Sequence, residues 1–573
     1  MREQITRREV FRRVGMGAVA AGWSSYLIHS ASAEPIADWG NANPPVQPPC
    51  EVYPTVPEIP CEAFLLPPEG LTQAERRRAL DSLFAYQSHR QATSIGYQAN
   101  QKLTYEDDLK SFLDFHINNV GDPFQSGNFT MNSKWMERAV LDYYAKLWNA
   151  KWPHNPEDPE SYWGYVLTMG STEGNLYGLW NARDYLQGKC LLDDPMAAEE
   201  ASVASKNGEE RCVPSRILCH QPRVSKSNPN AFSPVAFYSE DTHYSIIKAL
   251  RLMAIQTFYE VGTEHYPNQC PITPDKSWPK EVPSQSGGEG PGRIDLEALE
   301  KLVEFFAERG YPILVNFNYG TTFKGAYDDV EEAGNRLLPI LKKHGLLNRE
   351  IARIGDQSIQ REGYWFHVDA ALAGSFMPFV EMAHRSGQLP SRGPNFDFRL
   401  PFVHSITMSG HKWIGAPWPC GVYMSKCKYL MLPPSRPGYI GSRDSTLAGS
   451  RNGFSAMILW DYLARNSYED QVKKAIRIEN LAQYTYKQLQ ALEKDIGSLW
   501  VARTPLSLTM RFKRPNPQIV FKYSLANETL YVNGEKRDYS HIFIMEHVTK
   551  ELIDQFVADL RKPGAFRQKA TKK

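Results

Sequence analysis

An excess of charge of either sign is missing from this chain. Its 65 Lys and Arg face 64 Asp and Glu, a net of +1 across 573 residues. That balance gives no footing for nucleic-acid binding or for electrostatic attachment to a membrane. Cysteine is scarce: there are eight, none at the spacing of a zinc site, so no metal centre is expected. If the chain is exported, Cys50 with Cys61 or Cys190 with Cys212 could form a disulfide; free thiols are the alternative, and spacing does not decide. Long hydrophobic runs are also missing. The apolar stretch Val14 to Leu27 falls short of the roughly 18–20 residues that span a bilayer. There is no internal repeat. What remains is 42% hydrophobic and 23% charged, the composition of a soluble globular chain too long for one ordinary domain.

The first 33 residues read as an export signal and stand outside the fold. Arg7-Arg8 precede the Gly/Ala-rich run, and Ala31-Ser32-Ala33 supplies small residues for cleavage before Glu34. The pattern is of the twin-arginine kind, although Val10 stands where Phe is usual and Phe11 comes one place late. It predicts a periplasmic or extracellular protein; without a working signal the chain would be cytoplasmic. Residues 34–75 form a Pro-rich arm, with a capping box at Thr72 and Glu75. Residues 76–130 read as an N-terminal helical segment and 131–440 as a large domain. A smaller α/β domain follows at 441–562, then a basic tail at 563–573.

A helix is predicted over Ser133 to Trp148, with Trp135, Ala139, Tyr143 and Leu147 on one face. From Tyr165 onward strands and helices alternate. The strands at 312–316 and 364–368 are almost continuously apolar, which predicts burial on both faces of a mainly parallel sheet. The inserts at 191–210 and 266–292, the latter rich in Pro, Ser and Gly, read as surface loops.

Three short motifs carry chemistry. In Ser405-Ile406-Thr407-Met408-Ser409-Gly410-His411-Lys412 a strand runs into a turn that presents a lysine amine at the mouth of the sheet. In His367-Val368-Asp369-Ala370-Ala371 a carboxylate ends a buried strand, in the crevice where such sheets bind ligands. In Gly170-Ser171-Thr172 a turn opens a helix whose free N–H groups and dipole suit a phosphate. Phosphate cup, carboxylate and lysine, in this order along the chain, are the parts required by pyridoxal 5'-phosphate (PLP). Lys412 would form the imine and Asp369 would hold the pyridine nitrogen, while Ala371 leaves room for the ring. Ser409 and His411 stand beside the lysine. His243, in Asp241-Thr242-His243-Tyr244-Ser245 at a strand-to-helix turn, is the candidate for stacking on the ring and touching the substrate.

These motifs resemble the group II PLP-dependent amino-acid decarboxylases, and within them the histidine/serine decarboxylase branch. The likeness runs from about Gly96 to the C-terminus. It takes in Asn118 to Pro123, Trp163-Gly164-Tyr165, Gly170 to Gly178, Ser239 to Lys248, Asn318 to Ala326, His367 to Gly374, Ser409 to Gly421 and Gly449 to Gly453. The resemblance implies an α/β protein of PLP fold type I and an obligate homodimer with active sites at the subunit interface. It implies an amino acid as substrate, histidine first, then serine or an aromatic one. It places Ser450 and Arg451 near the cofactor of the other subunit and Tyr97 and Asn119 near the substrate, with Tyr439 as the donor that reprotonates the α-carbon. Met169-Gly170-Ser171-Thr172 departs from the branch's usual Asn-Gly-Gly-Thr, and Gly96-Tyr97-Gln98 from its usual Gly-Tyr-Pro, so the substrate does not transfer with the motifs. An aldehyde-forming oxidative decarboxylase, another PLP lyase or aminotransferase, and a non-catalytic paralogue remain as other outcomes.

Overall fold

The computed structural model describes residues 59, 61–193, 216–220, 228–354, 357–431 and 438–567. The export signal, most of the arm, Cys50, Cys212 and the end of the tail lie outside the described residues. Cα packing divides the chain into Met1–Phe84 and Ala85–Lys573, so the expected large and small domains fall within the second unit. In the first unit the expected capping box is present. Thr72 N–H donates to Glu75 Oε2 at 2.8 Å and Glu75 N–H donates to Thr72 Oγ1 at 3.3 Å, opening helix α1 (Gln73–Gln91).

The second unit is built on a seven-stranded sheet. Its strands are β1 (Tyr162–Leu167), β2 (Val235–Phe237), β3 (Gln256–Thr257), β4 (Ile313–Asn318), β5 (Tyr364–Asp369), β6 (Ser405–Ser409) and β7 (Gly421–Lys426). In space they run β1-β7-β6-β5-β4-β2-β3. β6, β5, β4, β2 and β3 run parallel to one another, while β7 lies antiparallel between β1 and β6. Every residue of β1, β4, β5, β6 and β7 is buried, and for β4 and β5 the near-continuous apolar runs predicted it. In this arrangement the C-terminal ends of β1, β5 and β6 open at one edge, which is where the three motifs sit.

Helix α2 (Lys134–Leu147) forms within the predicted span, but its buried face is not the predicted one. Glu137, Val140, Leu141, Tyr144 and Ala145 are buried, whereas Trp135 is 71% exposed. The reason is polar: Glu137 faces inward to pair with Arg451, an interaction that hydrophobic periodicity does not register. Helix α3 (Ser171–Leu186) follows β1, and α4 (Tyr244–Leu252) follows β2. Further on, α5 (Gly453–Arg465) and α6 (Tyr468–Ile496) precede a three-stranded antiparallel sheet of β8 (Thr509–Lys513), β9 (Ala526–Val532) and β10 (Glu535–Phe543). Helix α7 (Lys550–Arg561) closes the described chain, capped by Thr549.

The insert at 266–292 is not a loose surface loop. Cys270, Trp278 and Val282 are buried in it, and Trp278 Nε1 donates to the Tyr266 carbonyl at 2.8 Å. Its proline and serine content masked a segment anchored by one large aromatic side chain. The first insert begins as a strand, Lys189–Asp193, antiparallel to Arg216–His220; the register sets Cys190 opposite Cys219, not Cys212.

Candidate active site

Lys412 follows β6 through the turn at Gly410, whose N–H donates to the Cys420 carbonyl at 2.7 Å. A Cβ at Gly410 would lie 2.5 Å from Leu459 and 2.8 Å from the Cys420 sulfur, so this close approach requires glycine. Beyond the turn, the Asn100 N–H donates to the Lys412 carbonyl at 3.2 Å. Lys412 lines a cavity of about 240 Å³ together with Ser171, Thr172, His243, Asp369, Ala371, Ser409 and His411. Burial pulls the amine down to about 8, against the opposing pull of Asp369. About a tenth of it is therefore uncharged at pH 7, hundreds of times more than for an exposed lysine, and the neutral amine is the form that attacks a carbonyl carbon.

Asp369 ends β5 and is 6% exposed. Its Oδ1 accepts the Ala371 N–H at 3.2 Å and its Oδ2 accepts Asn175 Nδ2 at 2.8 Å. These donors hold the carboxylate in place and leave it facing the cavity with Lys412.

The anion cup is formed where β1 turns into α3. Gly170 takes φ +66° and ψ −164°, a conformation open to glycine, and a Cβ there would meet the His411 ring at 2.7 Å. Glu173 Oε2 anchors the turn by accepting Thr168 N–H at 2.7 Å and Met169 N–H at 3.0 Å. Ser409 Oγ accepts the Ser171 N–H at 3.0 Å and donates to Ser171 Oγ at 2.9 Å, so the β6 hydroxyl and the helix start form one unit. His411 Nδ1 is buried beside them with no hydrogen-bond partner. Burial first, and the Lys412 charge second, depress this imidazole to about 4. An orphaned polar atom, two hydroxyls and a helix N-terminus around one cavity fit the phosphate of PLP.

His243 caps α4: its Nδ1 accepts the Ser245 N–H at 3.3 Å and lies 2.8 Å from Ser245 Oγ. The ring lines the cavity and packs against Tyr244, with centroids 4.3 Å apart. Burial lowers its pKa, assisted by Lys412 and opposed by Asp369.

The other expected site residues stand elsewhere. Tyr97 is 58% exposed and lines an adjoining cavity of about 680 Å³, which shares His243, Tyr244 and Thr322 with the first. Asn119 is buried outside both cavities, with Nδ2 donating to Glu137 at 2.9 Å and Oδ1 accepting Ser133 N–H at 2.7 Å. Arg451 is 2% exposed, and its guanidinium is engaged by Glu137 and by the carbonyls of Gly121 and Val166. Ser450 Oγ accepts from Asn118 Nδ2 at 3.1 Å. Neither residue lines either of these two cavities, and the Arg451 guanidinium is taken up in joining α2 to the chain before α5. Tyr439 is 83% exposed and also lies outside both cavities. Conversely, Asn175, Ser245, Asn318, Thr321 and Thr322 line the first cavity and were not singled out from sequence. Asn175 and Asn318 lay inside quoted motifs, but a buried amide has no sequence signature apart from its neighbours. Among the described residues no group of three or more His, Cys, Asp or Glu could hold a metal ion.

Comparison with known proteins agrees with this geometry. Residues 219–496 match the pyridoxal-dependent decarboxylase conserved domain. The chain is 30% identical over 488 residues to a histidine decarboxylase of Mesorhizobium japonicum, covering 85% of this chain and 98% of that relative. It is 28% identical over 499 residues to serine decarboxylase 2 of Oryza sativa, covering 86% and 80%. Among solved structures, L-methionine decarboxylase from Streptomyces sp. 590 superposes with a TM-score of 0.79 at 46% identity, covering 87% of this chain and 98% of that one.

Proposed function

The chain belongs to the pyridoxal-dependent decarboxylases, and from that premise we propose that its substrate is L-methionine or an amino acid with a similar linear, apolar side chain. It is a PLP-dependent amino-acid decarboxylase of fold type I. The observation that carries the substrate reading is the 46% identity to an L-methionine decarboxylase, against 30% and 28% to histidine and serine decarboxylases. It ranks methionine ahead of histidine, which the family resemblance put first. The adjoining cavity supports it. Tyr97, Tyr244, Phe323, Tyr531 and Phe543 offer aromatic surface of the kind that thioethers contact favourably. Of the four charged side chains in its wall, Lys324 and Asp241 neutralise each other at 3.0 Å, while Glu240 and Glu528 each accept a backbone N–H, from Ser284 and Thr529.

Bound PLP supplies an aldehyde for attachment of the substrate amine and a ring that takes up the electron pair left by the departing carboxylate. The protein's residues do the rest. Lys412 provides the amine that holds the cofactor. Ser171, Thr172, Ser409 and His411 hold its phosphate. Asp369 keeps a proton on the ring nitrogen, and His243 covers the ring and approaches the substrate. The assignment of Tyr439 as donor to the α-carbon belongs to this proposal; its exposure in the single chain fits a residue that serves a neighbouring subunit's cavity. A homodimer and export by residues 1–33 complete the reading.

The test is CO2 and amine release from a panel of the common amino acids by purified chain loaded with PLP, with Lys412→Ala as control. Methionine should give CO2 and 3-methylthiopropylamine in equal amounts, and Lys412→Ala should give neither. Faster release from histidine or serine would overturn the substrate reading. Hydrogen peroxide and ammonia in place of amine would replace simple decarboxylation by the aldehyde-forming reaction.

A further inference from the structure

Behind Asp369 lies a chain of buried polar groups whose hydrogen positions are fixed from both ends. Trp365, His367, Ser405, Asn175 and Ser245 are each no more than 1% exposed. Trp365 Nε1 lies 3.1 Å from Ser405 Oγ, which lies 2.8 Å from His367 Nδ1. His367 Nε2 lies 2.9 Å from Asn175 Oδ1, and Asn175 Nδ2 lies 2.8 Å from Asp369 Oδ2. An indole N–H only donates and a carboxylate only accepts. Asn175 Nδ2 must therefore donate to Asp369, which leaves Asn175 Oδ1 to accept from His367 Nε2; the neutral ring then has a bare Nδ1, which takes the Ser405 hydrogen while Ser405 accepts from Trp365. His367 carries its proton on Nε2 and gives it to the Asn175 carbonyl oxygen, which turns the Asn175 amide toward Asp369. Burial supports the neutral ring, depressing His367 to about 4.

Asn175 has a second hydrogen, and it points to the other half of the site. Nδ2 lies 3.0 Å from Ser245 Oγ, which lies 2.8 Å from His243 Nδ1. His243 Nδ1 already accepts a backbone N–H, so it has no proton, and Ser245 donates to it. The neutral His243 ring thus carries its hydrogen on Nε2. Both amide hydrogens and the amide oxygen of Asn175 are used.

We propose that Asn175 is a positioning residue that ties the Asp369 carboxylate to the His243 imidazole, with His367 locking its orientation, so that the groups meeting the cofactor's ring nitrogen and ring face move as one unit. This rests on the assignment of Asp369 and His243 to the cofactor ring. The Asn175 oxygen and both its amide hydrogens are taken up by His367, Asp369 and Ser245, so Asn175 acts through these neighbours.

The experiment is titration of the apo-protein with PLP and with 1-deazapyridoxal phosphate, in which carbon replaces the ring nitrogen. Dissociation constants and visible spectra are the readouts. Asn175→Ala should weaken PLP binding at least tenfold. Asn175→Asp should weaken it further despite its matching shape, because it sets a second carboxylate against Asp369. The deaza analogue should bind wild type and Asn175→Ala within threefold of each other. If Asn175→Asp keeps wild-type affinity and spectrum, or if the analogue loses as much on Asn175→Ala as PLP does, the proposal is overturned. His367→Gln, which can still donate, and His367→Leu, which cannot, extend the test should the Asn175 variants fail to fold. Gln should retain affinity and Leu should lose it; equal affinities would overturn the lock. Wild-type chain that takes up no PLP would overturn the cofactor assignment itself and the coupling with it.

Discussion

At the scale of single residues, the lysine is the point where burial becomes chemistry. The Lys412 amine is held at about 8 where an exposed lysine stands at 10.5. Cofactor capture by the apo-protein should therefore speed up as pH rises through about 8 and level off above it, since the neutral amine is the reactive form. Stopped-flow absorbance at a series of pH values measures this; a rate still rising steeply from pH 9 to 10.5 would show an amine in an ordinary solvated environment. The linkage has a definite sign. Between about 8 and 10.5 the unfolded chain binds the proton that the folded chain has lost, so this group makes the apo-protein more stable as pH rises across that window. Lys412, Asp369, His243 and the hydroxyls of Ser171 and Ser409 were legible in the sequence because each ends a strand or opens a helix, and such ends point into the crevice of an α/β sheet. Asn175 was not legible. It sits one turn inside α3, and its role depends on His367, Ser245 and Asp369, which reach it from β5 and from the start of α4.

Among the elements, the packing of α2 shows where sequence patterns mislead. An apolar stripe with Trp135 at one end pointed to one face, yet the helix buries the face that carries Glu137. Glu137 Oε1 accepts the Val166 N–H from β1 at 2.9 Å and also meets the Arg451 guanidinium, so α2, β1 and the segment before α5 are joined at one buried charge pair. Removing one partner leaves the other charge uncompensated, a loss of about 3–5 kcal/mol for pairs of this kind. Arg451→Met should accordingly lower the melting temperature of the apo-protein markedly. The fraction that remains folded should still bind PLP with unchanged affinity, because Arg451 lies outside the cavity. Thermal melts followed by cofactor titration separate the two effects; a loss of affinity with an unchanged melting temperature would return Arg451 to the cofactor site. The strands were read correctly because continuous apolar runs bounded by turns have few other solutions in a parallel sheet. The insert at 266–292 was misread because one buried tryptophan outweighs a dozen loop-forming residues.

For the whole molecule, the exposed apolar side chains carry the argument. Leu103, Leu113, Phe115, Met131 and Trp135 are between 38% and 71% exposed in the single chain, all within one stretch before β1. Large exposed apolar side chains grouped in this way mark interaction surfaces. With Tyr439 standing outside its own cavity, this supports a second copy of the chain as partner. Sedimentation of the purified protein should give twice the chain mass, and Phe115→Asp with Trp135→Asp should shift it toward the single chain and reduce turnover; a wild-type protein that sediments as a single chain with full turnover would rule the dimer out. The order of strands has one more consequence, in the time taken to make the protein. The anion cup follows β1 and the lysine follows β6, but the two are bridged by β7, the last strand of the sheet in the chain. Until the ribosome has released Lys426, no strand holds β1 beside β6, and the cup cannot be fixed against Ser409. A nascent chain stalled before that point should stay colourless with PLP, and one stalled well beyond it should acquire the colour of bound cofactor.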